Sequence, residues 1–176
     1  SIAGEFAGAA RLGFIDRLLP EALVPMPQPD TTVQVDWSAG ASMMLRRTML
    51  EKIGLFDEAF FLYFEETDLC LRAARAGWSC WYVPDSRVVH IGSVSTGMKT
   101  KRRMPGYGYD SRRHYFIKNH GRAYAAAALS AHLFGGILHR LRVGLFGRQP
   151  QDPRWFLRDM AAHAFTPYRP SPEDRP

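Results

Sequence analysis

The clearest periodicity in the chain follows a run of aromatic and acidic residues. After Tyr63-Phe64-Glu65-Glu66-Thr67-Asp68, the residues Leu69, Leu71, Ala73, Ala74 and Ala76 favour helix and Gly77 is a natural stop, so a helix is predicted over 65–76. Upstream, residues 31–37 alternate β-branched and polar side chains and predict a strand; Ser38-Ala39-Gly40-Ala41 breaks it with small residues, and 42–45 reads as a second short strand. A short helix is expected over 49–53, ended by Gly54, with Thr48 as N-cap ahead of Glu51. Residues 56–61 form an aromatic loop into the acidic run. Downstream the pattern predicts a strand over 78–83, a turn at Pro84-Asp85-Ser86, a strand over 87–91 with His90 near its end, and a loop over 92–108. Residues 112–134 read as helix interrupted at Gly121. The first 24 residues have a weak helical period ended by Pro20, and 24–30 an extended, proline-punctuated loop.

The segment 123–138 is mostly apolar but contains His132 and Gly135-Gly136. It falls short of the ~20 apolar residues of a spanning helix. With Arg140, Arg142 and Arg148 behind it, it reads as an amphipathic basic helix, packed on its own domain or lying on an anionic membrane surface.

Composition narrows the class. At 176 residues, with 46% hydrophobic and 23% charged content, the chain is long enough for one globular domain with a core. The net charge of +6 is unevenly placed, since Lys99 to Arg148 holds eleven Lys and Arg against one acid, Asp110. Such a patch suits phosphate or an anionic surface. There is no zinc spacing, RNA-binding signature or helix-turn-helix pattern, which argues against a nucleic-acid partner. Cys70 and Cys80 read as free thiols or as one disulfide, and no secretory signal is visible.

The candidate chemistry lies in the acidic run. Glu65, Glu66 and Asp68 fall at the start of a helix, where the macrodipole stabilises carboxylates. They are either caps and dipole partners, or one is a general base presented at a cleft, its pKa raised by crowding and by lost solvent beside the aromatics.

The surrounding blocks bear on that choice. Trp37-Ser38-Ala39-Gly40-Ala41, Arg46-Arg47, Gly54-Leu55-Phe56-Asp57-Glu58-Ala59-Phe60-Phe61, Glu65-Glu66-Thr67-Asp68-Leu69-Cys70-Leu71-Arg72, Gly77, Pro84 and Val88-Val89-His90 occur in this order. Together they resemble the C-terminal half of the catalytic domain of glycosyltransferase family 2, in particular its rhamnosyltransferase-like members, over residues 33–97 and more loosely to 122. The resemblance implies an α/β fold: the C-terminal portion of a GT-A type mixed sheet followed by basic helices, with the N-terminal nucleotide-binding half absent, since no Asp-x-Asp motif precedes Trp37. The implied organisation is a connecting segment over 1–30, the acceptor-side part over 31–122, a helical basic tail over 123–166 and a disordered tail over 167–176.

The resemblance also implies roles. Glu66 matches the second acid of the family's Glu-Asp pair and is the expected base of an inverting transfer from a nucleotide-sugar donor to a glycan or lipid-linked acceptor. The family more often has Asp there, and Glu reaches one methylene further. Glu65 would bind the acceptor hydroxyl or tune Glu66. Trp37, Gly40, Ala41 and Asp68 would line the acceptor site, although a core tryptophan and a helix cap remain open for Trp37 and Asp68. Arg112 and Arg113, with Tyr115, loosely resemble the Gln-x-x-Arg-Trp element of processive relatives without its glutamine spacing, and would clamp the diphosphate or form a solvated basic face. His90 would complete a Mg²⁺ or Mn²⁺ site, against the reading of a structural histidine. The implied setting is bacterial surface polysaccharide synthesis in the cytoplasm, at the inner-membrane surface. The competing reading is a non-catalytic basic module that docks on phosphate or anionic lipid.

Overall fold

The structure, a computed structural model, describes residues 1–18, 28–91, 103–147, 152–153 and 155–165, with backbone alone at 14–16. Residues 92–102 of the loop expected over 92–108 and the tail at 167–176 lie outside the described residues, and the end of that expected loop, 106–108, is helical instead. The elements are α1 (Ile2–Ala10), α2 (Gly13–Leu18), β1 (Val33–Val35), α3 (Arg47–Ile53), α4 (Glu65–Arg75), β2 (Cys80–Tyr82), α5 (Gly106–His120), α6 (Arg122–Leu145) and α7 (Phe156–His163). The described chain is therefore mixed α/β, mostly helical, with one small antiparallel sheet. In that sheet Val33 pairs with Tyr82, Gln34 with Trp81 and Val35 with Cys80.

The helices form the larger packed body. Ser1 caps α1, its Oγ accepting from the Gly4 N–H at 3.1 Å. The small residues Gly4, Ala7, Ala9 and Ala10 then let α1, which lies in the stretch read as a connecting segment, pack closely along α6. Gly135 is the point of closest approach: a Cβ there would stand 2.7 Å from the Phe6 carbonyl oxygen and 3.0 Å from the Ala10 nitrogen. At Gly136 a Cβ would come within 2.6 Å of Leu157 on α7. The glycine pair that reads in sequence as an interruption is thus where two helices meet α6, and contact outweighs the helix propensity cost of about 1 kcal/mol per glycine. Glu5 locks the junction by accepting from Arg112 at 2.6 Å and pairing with His132 at 2.7 Å. Burial opposes its charge, but His132 and Arg112 hold its pKa below the usual carboxylate value.

The helix break expected at Gly121 occurs there: the residue has φ 86° and ends α5 while its carbonyl starts α6. The helix predicted over 65–76 is α4, and the turn at 84–86 closes through the Ser86 N–H to the Val83 carbonyl at 3.1 Å. Three local expectations are corrected. Residues 42–45 and 87–91 are not strands, since no partner ladder meets them among the described residues, and Val89 is 93% exposed. Thr48 is not an N-cap, because α3 begins one residue earlier, with Arg46 in the cap position and no side-chain cap bond. Cys70 and Cys80 are free thiols, and burial beside Cys70 pushes Cys80 up to about 11.

Candidate active site

The entry into α4 is held by rings. Phe60 meets His114 edge-on at 4.7 Å, Phe61 and Tyr63 lie against Tyr107 at 5.2 and 6.1 Å, and Phe64 lies against Tyr115 at 5.4 Å. On α5, residues 107, 111 and 115 are spaced by one helical turn and face one side. Ser111 in that row donates its hydroxyl to the Leu62 carbonyl at 2.9 Å. Clamped in this way, Tyr63 and Phe64 take left-handed backbone conformations, φ 70° and 69°. For residues with a Cβ this costs on the order of 1 kcal/mol each, and it persists only where packing enforces it. The result is a sharp corner that delivers Glu65 and Glu66 as the first two residues of α4.

These two carboxylates are half-buried, and each has one oxygen, Oε2, that is buried without a hydrogen-bond partner. Burial raises the Glu65 pKa above the ordinary value; its own backbone N–H works against this and the neighbouring Glu66 carboxylate adds to it. The small-residue loop after β1 runs alongside, since a Cβ on Gly40 would lie 3.8 Å from the Glu66 Cβ. Trp37 in that loop is 37% exposed, and Gly40 and Ala41 are exposed. The structure therefore brings Gly40 and its loop to Glu66.

Asp68 has a different environment from the one expected. Its side chain is fully buried, with Oδ2 receiving Arg72 Nε and Lys118 Nζ, each at 2.8 Å, and Oδ1 receiving Asn119 Nδ2 at 2.8 Å. Burial disfavours its charge, but these three donors hold its pKa below the carboxylate range. Both oxygens are committed, so Asp68 fastens α4 to α5 and is neither an acceptor contact nor a cap. Arg72 extends the fastening by donating to the carbonyls of Ile53 at 2.7 Å and Leu55 at 2.8 Å. The second half of the acidic block, Asp68-Leu69-Cys70-Leu71-Arg72, is thus a structural clasp.

Asp57, to which the sequence alone gives no role, is the second hub. Its Oδ1 accepts from the Ala59 N–H at 2.9 Å, and its Oδ2 meets Lys118 at 2.7 Å and His114 at 3.1 Å. The Lys118 bond is the main cause of its depressed pKa. A turn-forming Asp followed by two aromatics was a visible signal; its partners on α5, more than fifty residues away, were not.

The basic and metal candidates fare differently. Arg112 is 11% exposed along its side chain, paired to Glu5 and stacked over Phe116 at 5.1 Å, so it ties α5 to α1 and does not present itself to a diphosphate. Arg113 is half-buried on α5, its charge near Asp110. His90 lies exposed in coil, and among the described residues no group of three His, Cys, Asp or Glu is placed to hold a metal ion. A cleft of about 190 Å³ opens between the aromatic loop and α5, lined by Phe61, Tyr107, Asp110, Ser111 and His114. A larger, shallow depression of about 500 Å³ lies along α3 and includes none of the site candidates.

The described elements define an α/β chain in which a carboxylate-bearing helix is clasped to a second helix. The family model described as glycosyltransferase like family 2 matches residues 19–107, just over half of the chain, and the chain belongs to that family. It is 39% identical over 77 residues to an N-acetylglucosaminyl-diphospho-decaprenol L-rhamnosyltransferase of Mycobacterium tuberculosis, covering 44% of this chain and 24% of that protein. It is 41% identical over 56 residues to the rhamnosyltransferase WbbL of Escherichia coli, covering 32% and 21%. It is also 44% identical over 41 residues to the low-salt glycan biosynthesis hexosyltransferase Agl10 of Haloferax volcanii, covering 23% and 13%. The matched segment spans about a quarter or less of the length of these curated relatives. No solved structure matches the chain.

Proposed function

We propose that this chain is the acceptor-side part of an inverting glycosyltransferase of GT-A type, and that Glu66 is its general base. The carrying observation is the pair Glu65 and Glu66, half-buried, each with an unpartnered buried oxygen, beside the Gly40 loop. An unpaired buried carboxylate oxygen is costly unless a ligand supplies a donor, and an acceptor hydroxyl is such a donor. In the proposed step the acceptor O–H gives its proton to Glu66. Its oxygen then forms a bond to the anomeric carbon of the nucleotide sugar as the bond to the diphosphate breaks, and the nucleoside diphosphate departs. Glu65 is placed beside Glu66 to bind the acceptor hydroxyl, and the Trp37 ring offers a face to the C–H side of a sugar.

The donor half is proposed to lie outside this chain. In support, among the described residues the sheet has only two strands of three residues, below what stands alone, and Trp81 in β2 and Val83 just after it are 54% and 42% exposed. The names of the relatives favour a glycan or lipid-linked acceptor, with the inner face of the bacterial cytoplasmic membrane as the setting.

The test is sugar transfer by the intact protein, wild type against Glu66→Gln. The expected result is a loss of roughly 100-fold or more in turnover with nucleotide binding retained. Unchanged turnover would sink the assignment of Glu66 and put the base on another residue, and absence of transfer by the wild type would favour the non-catalytic basic module.

A further inference from the structure

The long helix α6 has two unlike faces. Ala128, Gly135, Gly136 and His139 are buried against the neighbouring helices. On the opposite side, Ala127, Ser130, Phe134, Ile137, Leu141 and Leu145 recur at intervals of three and four, which places them on one stripe. Four of them are large and bare: Phe134 is 64% exposed, Ile137 51%, Leu141 63% and Leu145 87%. Phe146, just past the helix end, is 74% exposed. The stripe carries no charged residue, and the sequence from Ser111 to Gln151 contains no Asp or Glu at all. By helical period Arg122 and Arg140 border it on one side and Arg142 on the other.

We propose that this face of α6 lies flat on an anionic lipid bilayer. The apolar stripe would enter the boundary between head groups and acyl chains, with Arg122 and Arg140 reaching the lipid phosphates, while Arg142 donates to the Arg11 carbonyl at 2.7 Å. Among the described residues no helix is long and apolar enough to cross a membrane, so the geometry is that of a helix lying in the interface. Charge decides the occupant. A second copy of this chain would bring the same acid-free, arginine-bordered face against itself, setting like charges together, whereas an anionic lipid surface supplies the missing negative charge over the whole length of about 36 Å. The inference stands apart from the assignment of Glu66 and does not use it.

The experiment is co-sedimentation of the intact protein with vesicles of phosphatidylcholine, with and without phosphatidylglycerol. The expected result is binding that requires phosphatidylglycerol, weakens as salt rises, and falls roughly tenfold or more in Ile137→Ser/Leu141→Ser. Both side chains are more than half exposed, and thermal melting by circular dichroism checks that the variant keeps its fold. Absence of vesicle binding by the wild type, or equal binding by a folded variant, would overturn the proposal. So would a dimer that the same double substitution dissociates, because the stripe would then belong to a second copy.

Discussion

Glu66 and Asp68 stand two residues apart in the first turn of one helix, and both read in sequence as acids at a helix start. Their surroundings are opposite. Asp68 is fully buried with both oxygens bonded to Arg72, Lys118 and Asn119, while Glu65 and Glu66 are half-buried with one oxygen each left without a partner. The difference comes from the direction in which each side chain leaves the helix. Asp68 points at α5, where donors wait one turn from its end; Glu65 and Glu66 emerge at the corner made by Tyr63 and Phe64, next to the Gly40 loop. One part of the motif holds the fold, and the neighbouring part is free to meet a ligand.

The largest expected effect tests the clasp. Asp68→Ala should destabilise the protein by about 3–5 kcal/mol, the usual cost of removing one partner from a buried ionic network, with urea denaturation as the measurement. A loss below about 1 kcal/mol would mean that the network is not the fastening described here.

Acid titration should separate the two regions next. Asp57 and Asp68 have folded pKa values below their ordinary 3.8, so their contribution is present above that pH and is lost as pH falls through it toward the folded values. Glu65 is shifted the other way. Its contribution is present below its ordinary 4.5 and is lost as pH rises through the folded value. Melting temperature followed from about pH 4 down to about pH 2, below the ordinary 3.8 of both groups, should therefore fall, and Asp57→Asn should flatten that fall. Since Asp57 is partly exposed and screened, the flattening should correspond to about 1 kcal/mol.

The smallest effect falls on the free pair. Glu65→Gln should leave stability unchanged near pH 4 and raise it at pH 7 by less than about 1 kcal/mol, because a half-buried carboxylate loses its desolvation cost. Calorimetry at the two pH values reads this difference, and destabilisation at pH 7 would show that Glu65 has a structural partner after all.

Much of the local structure was legible in the chain. The helix after the acidic run, the stop at Gly54, the turn at Pro84 and the break at Gly121 follow from propensity and from backbone positions that suit glycine or proline. The expected strands at 42–45 and 87–91 failed because a strand exists only with a partner, and local alternation says nothing about pairing. The roles of the charged residues were less legible still. Arg112 and Asp68 carry the residue types of a binding site, but Glu5 and Lys118, distant in sequence, claim them.

What the sequence by itself determined, then, is the family, the positions of most helices and the presence of an acidic block beside small-residue and aromatic loops. Those features rest on residue order and short-range spacing. Which acids are committed and which are left open was decided only by tertiary structure. So was the conversion of Gly135-Gly136 from an apparent interruption into a helix contact, and the exposure of one whole face of α6. A carboxylate's partner, a glycine's neighbour and a helix's bare side are set by chain segments far apart in sequence, and local pattern carries no information about them.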